Sequence, residues 1–285
     1  MYNTETEEKR KHSSRIVPFS CYRCKLPDYF TSVPLHWHGE FELSIIQEGC
    51  IECICGDVKY LMREGDIVIV APNVLHAMYP HGEFQRYDTV VFSPDMLGAS
   101  ENDRSAAECI RPIADGFCAI HVTPAHTYYN ELKITADNII SCAIGNTARL
   151  DMLMKSELLR LFWLLENSGD IDCRAHSEVN RSEVIRPALE YIAENYGDNI
   201  TIDKLAETVH LSKSYFMSRF RQAAGVSAVE YITQYRIRAA CSVLTESSKT
   251  VSEISFECGF RNLSNFNRAF KRLMGCTPNE YRKKI

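Results

Sequence analysis

Four side chains in the first third of the chain have the types and spacing that could bind a metal ion. His36, His38 and Glu42 fall within seven residues of one another, and His76 follows. Imidazole nitrogen with carboxylate oxygen suits first-row divalent metals. Residues two apart on a strand point to the same side, so His36 and His38 share a face, and a barrel can bring His76 across to them. The same positions, with Trp37, equally suit the lining of a small-molecule pocket. There Trp37 stacks on a ligand such as a sugar at the pocket mouth, or simply fills the core. Thiols offer a second possibility. Of the 12 cysteines, Cys21 and Cys24 form a C-x-x-C pair, and Cys50, Cys53 and Cys55 cluster. Cys21/Cys24 with Cys53/Cys55 could hold tetrahedral zinc. The bland alternative is reduced cysteines acting as small apolar residues, which the scatter of the other seven favours.

A different chemistry is written near the C-terminus. On one predicted helix Ser214, Met217, Ser218 and Arg221 share a face opposite Phe216, Phe220 and Ala223. On another, Ser264, Asn267, Arg268 and Lys271 lie opposite Phe266, Phe270 and Leu273. Asn can read adenine and Arg can read guanine bidentately, while Lys and Arg grip phosphates. The candidate DNA contacts are Ser212, Lys213, Ser214, Met217, Ser218 and Arg221 on the first helix. On the second they are Asn262, Ser264, Asn265, Asn267, Arg268 and Lys271.

An internal repeat positions these two helices. Ile202, Leu205, Val209 and Leu211 recur 49 residues later as Val251, Ile254, Cys258 and Phe260. Phe216, Phe220, Gly225 and Tyr231 recur 50 residues later as Phe266, Phe270, Gly275 and Tyr281. The extra residue falls near 261–263, where a turn belongs. Each unit reads as helix, turn, helix, glycine stop, and the start of a further helix. Thr250-x-x-Glu253, Ser227-x-x-Glu230 and Thr277-x-x-Glu280 fit the capping box, and Ser212 is a good N-cap. Gly225 and Gly275 are natural C-terminal stops.

The elements ahead of the repeat differ in texture. Residues 16–122 alternate short apolar runs with Gly, Pro and Asn, the pattern of a sandwich or barrel. Residues 126–166 carry helical periodicity, broken at Gly145-Asn146. Their leucines could cover the barrel, pair with a second subunit, or do both. Residues 167–182 are polar and read as a linker, and residues 183–285 are helical throughout.

Composition sets the outer bounds. The 285 residues are 45% hydrophobic and 24% charged, which excludes disorder and collagen-like repeats. No apolar run approaches the ~18 residues of a membrane helix. The polar N-terminus lacks the apolar core of a secretory signal, so a cytoplasmic protein is expected. The net charge of −5 hides an asymmetry: residues 1–199 carry −12 and residues 200–285 carry +7. A basic C-terminal unit on an acidic body suggests a polyanion-binding module at one end only.

Residues 186–284 resemble the DNA-binding domain of AraC/XylS-type transcriptional regulators. The resemblance rests on Ile254, Gly259, Phe260, Ser264, Phe266, Arg268, Phe270, Lys271, Gly275, Pro278, Tyr281 and Arg282. Ser255 stands where Ala is usual. In the first unit Ser218 stands where the family often has Arg, and Arg219 comes one later. The resemblance implies seven helices, with two helix-turn-helix units bridged by a long helix from Ser227 to about Ser247. It also implies recognition helices in successive major grooves, ~34 Å apart. Upstream, His36-x-His38-x(3)-Glu42-x(6)-Gly49 resembles the first cupin motif. Gly65, Pro72 and His76 resemble part of the second, with Ala71, Asn73 and Pro80 departing from it. In metal-binding cupins such positions supply three His and one Glu. AraC-type sensor domains often keep them as pocket residues instead.

The expected architecture is multi-domain α+β. A cupin-like barrel (16–122) and a helical dimerisation element (126–166) lead through the linker to an all-α double helix-turn-helix domain (183–285). The expected protein is not an enzyme but a homodimeric regulator, an activator in most relatives, with promoter DNA, RNA polymerase and a small-molecule effector such as a sugar as partners. No membrane is expected, and a divalent metal in the barrel is a possible cofactor. The alternative is a metal-dependent cupin enzyme carrying a DNA-binding tail.

Overall fold

The computed structural model describes residues 17–26, 32–98, 104–110, 119–169 and 184–283. The N-terminal segment 1–16 and residues 170–182 of the expected linker lie outside the described residues. Among the described residues nine strands come first: β1 (Phe19–Leu26), β2 (Val33–His36), β3 (Phe41–Glu48), β4 (Cys50–Cys55), β5 (Val58–Arg63), β6 (Ile67–Val70), β7 (His76–Pro80), β8 (Gln85–Phe92) and β9 (Ala119–Val122). They form two antiparallel sheets, ordered β1-β8-β3-β6-β9 and β2-β7-β4-β5. One apolar core joins them, drawing Leu43 and Ile45 from β3 and Ile51, Cys53, Met62 and Met78 from the other sheet.

β3 is buried on both faces from Phe41 to Ile46, its polar Glu42 and Ser44 included. Two helices lie against the five-stranded sheet, α1 (Tyr129–Gly145) and α2 (Ala148–Ser168). α1 lies against β1 and β8, and Phe162 of α2 meets Phe41 at a tilt, with 5.1 Å between ring centres. Asn146, at φ +45°, closes α1. Met154, Leu158, Leu161 and Leu165 are buried in the sheet's core. The opposite side of α2 leaves Met152, Leu153, Leu159 and Trp163 exposed.

Among the described residues seven helices follow: α3 (Arg186–Asn195), α4 (Ile202–Thr208), α5 (Lys213–Ala224), α6 (Ala228–Glu246), α7 (Val251–Glu257), α8 (Leu263–Met274) and α9 (Pro278–Lys283). The duplication is visible in the bounds. α4 and α7 each have 7 residues, and α5 and α8 each have 12. Four residues join α4 to α5 and five join α7 to α8, so the extra residue sits in the second turn. Phe216 and Phe220 fill the first unit, Phe266 and Phe270 the second.

The caps form largely as expected. Ser212 accepts from the amide of Tyr215, and Thr250 and Glu253 complete a reciprocal capping box. Thr277 and Glu280 do the same at α9. The box expected at Ser227 is only half made. Its hydroxyl accepts from the Glu230 amide, but the Glu230 carboxylate pairs with Arg272 at 2.9 Å instead. Gly225 and Gly275 adopt φ of +71° and +70° as C-caps.

The first unit shares a core with the β-domain. The four-stranded sheet turns Leu35, Ile54 and Ala77 outward, and these, with Leu75 just ahead of β7, pack with Phe216, Phe220, Tyr231 and Tyr235. Burying one such aliphatic side chain contributes about 1.5–3 kcal/mol. The Tyr231 hydroxyl donates to the Leu35 carbonyl at 2.8 Å, and the Tyr79 hydroxyl donates to that of Ala224. The second unit, by contrast, has a core of its own.

Candidate functional site

Two places gather the residues singled out by type. The first lies inside the β-domain. His36 ends β2 and faces His76 across the β2–β7 pair, with ring centres 4.1 Å apart. Glu42 comes from β3 in the opposite sheet, and His38 from the corner between β2 and β3. One potential ligand atom from each of the four lies within 4.8 Å of the others. All are 8% exposed or less.

Each imidazole is oriented by a backbone carbonyl. The Nδ1 atoms of His36, His38 and His76 lie 2.9, 3.1 and 2.8 Å from the carbonyls of Pro34, Glu40 and Val74. A carbonyl only accepts, so each Nδ1 carries a hydrogen, and Nε2 is the nitrogen a cation at the centre would take in place of a proton. The Nε2 atoms of His38 and His76 lie 3.4 and 3.3 Å from Glu42 Oε2. Ser44 donates to Glu42 Oε1 at 3.1 Å. Burial by itself would push the Glu42 carboxyl up. The hydrogen bonds and charges of His38 and His76 outweigh it and hold the group well below the usual carboxylate range. Oriented rings, converging nitrogens and an ionised carboxylate fit a first-row divalent cation.

Trp37 does not join this group. It is buried on the other side of the strand, with the Arg186 guanidinium 4.6 Å above its ring. Asn73 holds a left-handed conformation at φ +62°. Asn is one of the few residues besides Gly that adopts it readily, so the departure from the cupin-like pattern costs little. The four cysteines weighed for zinc are split. Cys21 and Cys24 sit on β1 in one sheet, and Cys53 and Cys55 on β4 in the other, 3.5 Å apart at sulfur. Among the described residues the histidine–glutamate set is the one group of three or more such ligands.

The second place is the outer face of α5 and α8. Ser212, Lys213, Ser214, Met217, Ser218 and Arg221 are all exposed, as are Asn262, Ser264, Asn265, Asn267, Arg268 and Lys271. Ser212 and Asn262 spend their side-chain oxygens as N-caps. Lys213 pairs with Asp203 at 2.8 Å, and Arg268 donates to Asn265 at 2.9 Å. Arg219 points away from this face. It is buried, donates to Gln222 at 2.6 Å and pairs with Asp57 of the β-domain at 3.4 Å.

Three residues escaped the sequence reading. Tyr215 is 54% exposed on α5. Arg261 and Arg272 line a cleft of about 760 Å³ between the two units, together with Arg236, Arg268 and Asn199. The extra turn residue near 261 marked this region, but sequence alone could not show that it bordered the loop before α4.

Residues 17–162 match the family model of the AraC-like ligand binding domain, and residues 205–284 match that of a helix-turn-helix domain. YdeC, an HTH-type transcriptional regulator of Bacillus subtilis, is 23% identical over 283 residues, covering 97% of this chain and 96% of its own. The melibiose operon regulatory protein of Escherichia coli is 23% identical over 252 residues, covering 87% and 83%. The ToxT structure from Vibrio cholerae superposes with a TM-score of 0.46 at 14% identity, covering 94% and 99%. The chain belongs to the AraC family: it is a transcriptional regulator that joins an AraC-like ligand-binding domain to a helix-turn-helix DNA-binding domain.

Proposed function

We propose that the chain is a cytoplasmic, one-component regulator that works as a homodimer. Promoter DNA is read by α5 and α8, and a small-molecule effector binds inside the cupin-like β-domain beside His36, His38, Glu42 and His76. The observation that carries the DNA reading is the exposed polar face repeated on both helices while their Phe pairs fill the two cores. Asn267 and Arg268 are assigned to base edges, and Arg221 and Lys271 to phosphates. The arginine-lined cleft between the units suits the backbone between two successive major grooves. Its Arg261 and Arg272 are added to the phosphate contacts.

The regulator is taken to be without enzymatic activity, as its relatives are regulators. A sugar is a reasonable effector class, since one relative is a melibiose operon regulatory protein. The dimer contact is assigned to α2, where Met152 (72% exposed) and Trp163 (60% exposed) stand on one side with Leu159 between them. A second copy is the natural occupant, because two-fold dimers are the commonest oligomers.

The test is selection of DNA from a random pool by the full chain. A recovered consensus with two half-sites is expected. Arg268→Ala should weaken binding by about 1–3 kcal/mol and relax one position, whereas Lys271→Ala should weaken all sequences alike. Recovery of no consensus, or unchanged affinity in Arg268→Ala, would overturn the assignment.

A further inference from the structure

β2 and β7 carry the histidines on one face and the dock for the first helix-turn-helix unit on the other. On β2, His36 faces inward, while its neighbour Leu35 belongs to the core shared with α5 and α6. On β7, His76 faces inward, between Leu75 and Ala77, which face that same shared core. The Tyr231 hydroxyl holds the Leu35 carbonyl, one peptide from His36. Trp37, between the two first histidines, lies under Arg186, whose guanidinium also bonds the Asn73 carbonyl. Asn73 in turn donates its amide to the His38 carbonyl at 2.7 Å. The cluster and the DNA reader are therefore one strand thickness apart.

Without an ion, His38 and His76 meet Glu42 through Nε2 at 3.4 and 3.3 Å, contacts that need a proton on each of those nitrogens as well as on Nδ1. All three Nδ1 atoms face carbonyls, so three neutral imidazoles would turn Nε2 lone pairs toward one another and toward the Glu42 carboxylate. Protonating them all would instead bury three like charges within about the ring spacings of 4.1, 5.0 and 5.8 Å. A single divalent ion at the centre satisfies all four ligands at once. Three imidazoles and one carboxylate favour a first-row metal over Ca²⁺ or Mg²⁺, which take oxygen ligands.

We propose that a first-row divalent cation held by His36, His38, Glu42 and His76 is itself an effector of DNA binding, read out through the docking of the first helix-turn-helix unit on the outer face of β2 and β7. Drawing His36, His38 and His76 onto one ion re-aims Leu35, Trp37 and Leu75, which form the dock. The undocked and docked arrangements then bind the ion with different affinity, the condition for any ligand to shift a conformational equilibrium. This rests on the regulator reading above and adds a cation to the small molecule proposed there.

The test uses the full chain, stripped with chelator and titrated with Co²⁺ alone. One ion per chain is expected, with visible ligand-field absorption. Zn²⁺ should displace it. Glu42→Gln and His36→Gln should each lower Co²⁺ affinity tenfold or more, judged only in variants whose circular dichroism matches the parent. Cys53→Ser should leave binding unchanged. The affinity for the selected DNA should change fivefold or more with Co²⁺, and that response should vanish in Glu42→Gln. Linkage requires that DNA change the Co²⁺ affinity by the same factor. No uptake of Co²⁺, uptake indifferent to Glu42→Gln and His36→Gln, or a thiolate charge-transfer band lost in Cys53→Ser would overturn the site. Uptake without any change in DNA affinity would overturn the effector role. In each of those cases a recovered DNA consensus leaves the regulator reading standing, whereas its absence would strike that reading and not the ion site.

Discussion

Gly225 and Gly275 end the two recognition helices in the same left-handed conformation, yet their surroundings differ. A Cβ at position 275 would meet nothing within 4 Å. A Cβ at position 225 would lie 3.0 Å from Ile54 Cδ1 and 3.1 Å from Tyr79 Cε2, both in the β-domain. Alanine at either site pays for a left-handed φ, about 1–2 kcal/mol. At 225 a second cost arises. Carbon atoms rest about 3.5–4.0 Å apart, so Ile54 and Tyr79 must retreat by several tenths of an ångström. Ile54 is fully buried and Tyr79 is tied to the Ala224 carbonyl, so neither yields easily. Overpacking of this kind costs about 1–3 kcal/mol. Gly275→Ala should therefore destabilise by ~1–2 kcal/mol and Gly225→Ala by ~2–5 kcal/mol. Urea unfolding of the full chain, followed by circular dichroism, measures both. Combining Gly225→Ala with Ile54→Val should cost less than the two changes added, because the smaller side chain relieves the contact. Equal losses for the two glycines would refute the docked arrangement.

Further outcomes follow from the same geometry. Trp163→Ser together with Met152→Ser should convert the dimer to monomer in sedimentation, with helix content unchanged; a persistent dimer would remove α2 as the contact. Arg219→Ala should leave base preference intact, because Arg219 pairs with Asp57 and not with DNA; a relaxed position in the selected consensus would contradict that placement. Burial raises the Cys241 and Cys258 thiols from the ordinary 9.0 to about 12. A folded pKa above the unfolded one keeps the proton on longer in the folded state. This stability is full below about pH 9 and fades as pH rises toward 12. Urea midpoints should fall between pH 8 and pH 10.5, and fall less in Cys258→Ser; identical losses in parent and variant would sink the attribution.

The duplication was legible because it is local. Phe216/Phe220 and Phe266/Phe270 repeat at one offset, and caps at Ser212, Thr250 and Thr277 mark helix starts without tertiary help. The histidine cluster was legible as spacing, since His36 and His38 share a strand side and Glu42 and His76 lie where a closed β-domain can bring them together. The dock was not. Ile54-Cys55 puts apolar residues on both faces of its strand, while Leu35, Leu75 and Ala77 lie on the face opposite His36 and His76. Nothing in the sequence says which neighbour covers the second face. Trp37 fills a core, the second of its two readings, but it is the core on the side of the reader domain although it sits between two inward histidines. Arg219 was not among the expected contacts, and one position beyond Ser218 on a helix is a 100° turn, enough to carry it to Asp57.

The central claim is that two recognition helices read DNA together, and footprinting of the full chain on its selected site tests it most directly. Two protected patches on one face of the duplex are expected, about one helical turn (~34 Å) apart. Arg268→Ala should weaken one patch and Arg221→Ala the other. A single patch, or two that ignore both substitutions, would contradict the account.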